Sequence, residues 1–193
     1  MNVLKIILLL LIISPRANAD GFFDELAQQA EARIQHQVSY DGRYYNIDYP
    51  NGDVPADKGV CTDVVIRTYR ALGHDLQKSV HDDMATDFTA YPSKRMWGLT
   101  TPDTNIDHRR VPNLQVFFRR NGVELPVTQN PNDYHAGDLV TWMLPGNLPH
   151  IGIVSSRRNH SNPLIVHNID SGPKIEDMLF KYKITGHYRY KPD

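Results

Sequence analysis

Two hydrophobic periods divide the chain. Up to about residue 121 the apolar positions recur at helical spacing, and from about residue 138 they gather in short runs rich in β-branched side chains. Phe23, Leu26, Ala27, Ala30 and Ile34 share one face of a helix predicted over about 21–37, with Asp20 as its cap. Val64, Val65, Thr68, Tyr69 and Leu72 form the stripe of a second helix, from about Cys61 to Leu72, with Gly73 at its C-terminal stop. Ser79 with Asp82 has the form of a capping box and opens a third helix, with Val80, Met84 and Phe88 on one side. A short fourth helix runs from Leu114 to Asn121 and ends at Gly122. Residues 39–59 and 92–112 read as irregular.

The second half reads as strands: Asp138–Leu144, His150–Ser155, Leu164–Asn168 and Ile184–Tyr190, separated by Pro, Gly, Asn and Ser. Their spacing suits antiparallel connections. Helices first and strands afterwards, with no repeat and no long linker, predict one α+β domain.

The most apolar stretch stands apart from both patterns. Lys5 precedes the eight-residue run Ile6–Ile13, too short for the ~20 residues of a spanning helix. Ser14-Pro15 breaks it, and Ala17-Asn18-Ala19 follows as a small-x-small cleavage site. This predicts a signal peptide over residues 1–19 and a mature domain over 20–193, periplasmic or secreted. No cysteine stands at the cleavage point for lipid attachment, and no later run approaches a membrane span, so no stable membrane insertion is expected.

Composition narrows the partners. Lys and Arg number 21 against 22 Asp and Glu, net −1, which leaves no electrostatic footprint for nucleic acid. One cysteine allows no internal disulfide and no cysteine-based zinc site. His81-Asp82-Asp83 reads as helix N-terminal charge rather than a metal site. No His-Glu-x-x-His spacing occurs, so neither metal nor cofactor is expected.

That cysteine carries the candidate chemistry. Cys61 falls at the predicted mouth of the second helix, where free backbone N–H groups and the helix dipole favour a thiolate and can hold an oxyanion. A thiolate nucleophile needs a base oriented by a third polar group. His150 opens one predicted strand and His167 ends another. If the two strands pair across residues 156–163, these histidines become neighbours at one sheet edge. His187 in the last strand either joins them or makes a structural hydrogen bond, and Asp138 after Gly137 reads as a turn into a strand.

Cys61-Thr62-Asp63 at a helix start resembles the nucleophile segment of the NlpC-type cell-wall cysteine peptidases, a papain-like superfamily. Ala136-Gly137-Asp138-Leu139-Val140 and Pro149-His150-Ile151-Gly152-Ile153-Val154 resemble that family's Gly-Asp strand and its catalytic His-x-Gly-Ile strand. Ile165-Val166-His167 resembles the strand that carries the third polar residue. Over the whole mature chain, Gly59–Asp63, Asn105–Arg110, His167-Asn168-Ile169 and Gly186–Tyr190 resemble a family of secreted bacterial proteins, the YijF-type domain of unknown function.

The resemblance implies a papain-like, NlpC-type α+β fold with the nucleophile at a helix N-terminus. It also implies a catalytic set of Cys61, His150 and His167, with Cys61 as thiolate, His150 as imidazolium and His167 orienting it. The implied activity is hydrolysis of an amide bond in peptidoglycan stem peptides or another peptide substrate, by an endopeptidase or amidase. The alternatives are a thiol acyltransferase or thioesterase, and a non-catalytic periplasmic binding domain. The sequence departs from the peptidase pattern at Val60 and Thr62, where many members carry Asp and Ser. Tyr49 corresponds to the upstream tyrosine of those enzymes, and Arg109-Arg110 are candidates to clamp a substrate carboxylate.

Overall fold

A computed structural model describes residues 19–193. The signal peptide read over 1–19 lies, Ala19 apart, outside the described residues. The chain opens with α1 (Ala19–Ala32), continued by a short 3-10 turn through Gln35. Strands β1 (Ser39–Tyr40) and β2 (Lys58–Gly59) pair in parallel, with Tyr40 opposite Gly59. Four helices follow: α2 (Cys61–Ala71), α3 (Leu76–Thr86), α4 (Ser93–Trp97) and α5 (Val111–Asn121). The rest is sheet: β3 (Val123–Glu124), β4 (Leu139–Leu144), β5 (Leu148–Asn159), β6 (Asn162–His167), β7 (Lys174–Glu176) and β8 (Lys183–Arg189). These six strands form one antiparallel sheet in the order β3-β8-β4-β5-β6-β7. The architecture is α+β, helices first and an antiparallel sheet afterwards.

Period-two alternation decides how the sheet is covered. Leu139, Ile151, Ile153 and Val166 point to the helical side, where they meet Leu26, Val65, Tyr69 and Leu114. Val140, Trp142, Val154 and Ile165 point the other way and pack under Tyr134, Met178 and Leu179. Both faces are therefore buried. At Gly152, a Cβ would stand 2.9 Å from the Val166 carbonyl oxygen and 2.7 Å from Ile165 Cγ2, so only glycine lets β5 and β6 approach here. Gly137 takes φ +81° in the turn into β4, where its neighbour is the backbone of Phe23.

Several element boundaries differ from the sequence reading; residues 39–59, read as irregular, hold β1 and β2, and β5 extends beyond His150–Ser155 at both ends. The third helix starts at Leu76, not Ser79, because Asp75 accepts the Gln77 N–H at 3.0 Å and caps it one turn earlier. Ser79 instead donates its hydroxyl to the Asp75 carbonyl. The fourth predicted helix begins at Val111 with Pro112 in its first turn, where a missing N–H costs nothing. Residues 92–112 are not wholly irregular: they hold α4 and a 3-10 turn at Asp107–Arg109 whose three residues are all buried.

Candidate active site

α2 and β5 bring the chemistry together. Val60, the residue before the helix, has no side-chain acceptor. The Asp63 carboxylate reaches back to its N–H at 2.7 Å, the acidic half of a capping box. Cys61 therefore starts a capped helix, with its own N–H and that of Thr62 nearest the thiol. The backbone N–H groups of Ile151, Thr62 and Cys61 itself lie near the thiol and favour its ionised form. Cys61 is 4% exposed and forms part of the wall of a cleft of about 360 Å³, shared with Tyr40, Met96, Trp97, Arg110 and Pro149.

The thiol is not the preformed thiolate expected from the helix mouth. Burial pushes it up to about 11 and Asp63 adds to the rise, while the three N–H groups pull the other way and lose. Nor is His150 an imidazolium. Burial and the neighbouring His167 push it down to about 3. The resting pair is neutral on both sides, and among the described residues no hydrogen bond joins Sγ to the His150 ring.

Behind His150 runs a chain of rings. His150 Nε2 lies 3.2 Å from His167 Nδ1, and His167 Nε2 lies 3.1 Å from Glu176 Oε2. Both rings are buried, at 2% and 1% exposure, whereas the Glu176 side chain is 44% exposed. The register explains the meeting: β5 and β6 are hairpin neighbours, and His167 pairs with Lys174 at the start of β7, which also carries Glu176. Burial lowers the His167 pKa and Glu176 opposes it. The hydrogen-bond sense follows from the chemistry of the last member. A carboxylate only accepts, so a neutral His167 carries its proton on Nε2 and offers bare Nδ1 to His150. His150 then donates from Nε2 and keeps Nδ1 unprotonated. Glu176 was missed in the sequence. The one available signal was Lys174-Ile175-Glu176, an alternating stretch too short to read as a strand.

The oxyanion candidate moves. Tyr49 lies outside the cleft, with its hydroxyl 3.2 Å from Asp82 and its ring against His81 on α3. The tyrosine beside the nucleophile is Tyr40, which the parallel β1–β2 pairing sets opposite Gly59, two residues before Cys61. Partial burial first, then the neighbouring Cys61 and Asp63, push its hydroxyl up to about 12, so it remains a hydrogen-bond donor at neutral pH.

Arg109 is not a substrate clamp either. Its guanidinium is 2% exposed and grips Asp63 bidentately at 2.9 and 3.0 Å, with further bonds to the carbonyls of Arg43 and Asp41. Four of its five N–H groups are already bonded within the fold. Arg110 is placed differently. It bonds Asp107 at 3.1 Å, lies 4.0 Å over the Trp97 ring and faces the Cys61 cleft.

Asp138 and His187 form a separate buried pair. His187 Nε2 lies 2.7 Å from Asp138 Oδ2, which also accepts the His135 N–H, and the imidazole stacks on Tyr134 at 4.3 Å. Arg189 Nε stands 3.0 Å from Asp138 Oδ1, an ion pair by distance whose N–H is not aligned for a hydrogen bond. This cluster locks β4 to β8 and does not extend to His150. Among the described residues no cluster of ligand-type side chains suits a metal.

A buried thiol at a helix mouth, a histidine pair on a neighbouring hairpin and a tyrosine from a parallel β-bridge thus define an α+β domain with a cysteine–histidine site. The chain belongs to the family described as Domain of unknown function (DUF1287), whose model matches residues 27–190. It is similar to the Uncharacterized protein YijF of Escherichia coli (strain K12), with 49% identity over 166 residues covering 86% of this chain and 80% of that protein. Among solved structures it matches NlpC1 from Trichomonas vaginalis at 13% identity with a TM-score of 0.48. That match covers 89% of this chain but only 45% of the other, so the chain spans less than half of that protein's length.

Proposed function

We propose that this domain is a secreted cysteine hydrolase that cleaves an amide bond in peptides of the peptidoglycan type. The observation that carries the reading is the Glu176–His167–His150 chain. Its hydrogen-bond sense leaves His150 Nδ1 as a bare base on the strand whose next residue, Ile151, has its N–H near the Cys61 thiol.

In this reading substrate enters the cleft between Tyr40 and Trp97, and its binding closes the gap between Sγ and His150. Apo catalytic contacts commonly tighten only in the complex. The thiol proton passes to His150 Nδ1 as sulfur bonds to the carbonyl carbon. The new oxyanion is held by the Cys61 N–H and the Tyr40 hydroxyl. Positive charge on His150 is shared through His167 toward Glu176. His150 then gives its proton to the leaving amine, and water, deprotonated by the same nitrogen, hydrolyses the thioester.

The test is mass spectrometry of purified muropeptides after incubation with residues 20–193. The expected product pair differs from substrate by one water across one amide bond, and is absent with Cys61→Ala and with His150→Ala. Unchanged muropeptides under all conditions, with no thioester trapped on Cys61, would overturn the reading.

A further inference from the structure

A second space adjoins the Cys61 cleft. Beyond Pro112, which borders both, lies an open groove of about 890 Å³ between α4 and α5. The short helix α4 divides its side chains between the two spaces. Met96 and Trp97, 43% and 37% exposed, face the thiol's cleft, while Lys94 and Arg95 face the groove. Arg119 from α5 stands on the opposite wall, and no carboxylate lines the space. Lys94 and Arg95 are exposed and, among the described residues, make no salt bridge or side-chain hydrogen bond; Arg119 pairs with Glu124 at 2.9 Å. Three cations along one groove, two of them unneutralised, contrast with a chain whose overall charge is −1. Several other arginines on the helical side are matched: Arg67 and Arg70 to Asp53, Arg120 to Asp83 and Arg109 to Asp63.

We infer that the Lys94–Arg95–Arg119 groove binds the acidic segment of an anionic peptide whose scissile amide reaches Cys61 through the adjoining cleft. The charge complementarity is local, the two spaces share Pro112 as a wall, and Arg110 on Trp97 supplies a further cation beside the Cys61 cleft. The placement of the scissile bond rests on the hydrolase reading, but binding of the acidic segment does not.

The experiment therefore uses the Cys61→Ala protein, which binds without turning over. A blocked Ala-Glu-Ala-Glu-Ala peptide and its Gln counterpart are titrated at low and high salt, followed by NMR shifts. The acidic peptide is expected to bind about fivefold tighter or more, the effect of two exposed ion pairs, and the preference is expected to vanish at high salt. Lys94→Glu with Arg95→Glu should abolish that preference while leaving the thermal midpoint unchanged, since both side chains are exposed. Equal affinity for the two peptides, or a preference that survives the charge reversal, would overturn the inference. So would binding to phosphatidylglycerol vesicles with no preference between the peptides, which would make the groove a membrane-facing patch. Acidic preference in the binding assay alongside absent turnover by the wild-type protein would leave the groove standing and remove the hydrolase reading.

Discussion

At the residue scale the site is set by protonation. A thiol held near 11 beside a histidine held near 3 has no resting ion pair, so its reactivity toward a small neutral reagent should be low at neutral pH. Iodoacetamide is expected to alkylate folded Cys61 more slowly than the urea-unfolded chain at pH 7, with a rate that climbs toward a midpoint near 11. A fast phase at pH 6 would show a preformed thiolate and refute this account. The second residue-scale prediction concerns Glu176. It touches neither thiol nor cleft, and it acts by fixing which nitrogen of His167 carries the proton. Glu176→Leu removes that constraint and should lower kcat roughly tenfold or more with KM unchanged, the order found for partners that orient a functional imidazole. Glu176→Asp should restore part of it. A loss confined to KM, or no loss, would assign Glu176 to the surface.

At the element scale two substitutions separate what pattern predicted from what packing built. Asp75 caps α3 and also accepts the Asn51 N–H at 2.7 Å, so Asp75→Ala should cost about 1–2 kcal/mol in urea unfolding, whereas Ser79→Ala should cost well under 1. The reverse order would place the helix start at Ser79. Arg109 joins α2 to the loop after β1, so Arg109→Gln strands a buried Asp63 and should cost about 3–5 kcal/mol in stability rather than altering substrate charge preference. The long elements were legible because each carries a stripe: α2 from Val64 to Leu72, and β4 to β6 from their alternating apolar runs. The His150–His167 meeting was legible too, since a hairpin forces a strand start beside a strand end. What stayed hidden depends on pairing across distance. β1 has two residues and no pattern, yet its register with β2 makes Tyr40 and not Tyr49 the neighbour of Cys61. The Arg109–Asp63 pair spans loops with no period, and a polar cluster reads as solvated until something buries it. α4, at five residues, is too short for a helical stripe.

At the scale of the whole molecule, covering both sheet faces and filling the helical layer has a thermodynamic consequence. His108 and His150 are 2% exposed, and burial holds each near 3, far below its ordinary 6.5. In the unfolded chain both bind a proton as pH falls through 6.5, while in the folded chain they do not. The unfolded state then carries more protons, so stability falls as pH falls, throughout the window from about 6.5 down to about 3. By about pH 5 each such histidine should have cost about 2 kcal/mol, before most carboxylates begin to titrate. Cys61 works on the other flank. Its folded value near 11 lies above that of an unfolded thiol, so its contribution is complete at neutral pH and is lost as pH rises from about 9 toward 11. The two flanks predict a stability maximum between about 7 and 8.5. His108→Asn is the informative variant, because His108 lies in the buried Asp107–Arg109 turn and has no part in the proposed chemistry. Urea unfolding of wild type and of His108→Asn at about pH 7 and about pH 5 should show the variant losing about 2 kcal/mol less on acidification, whatever its absolute stability. Parallel losses in the two proteins would mean that His108 takes up its proton in the folded state, and that the interior around the turn admits a charge.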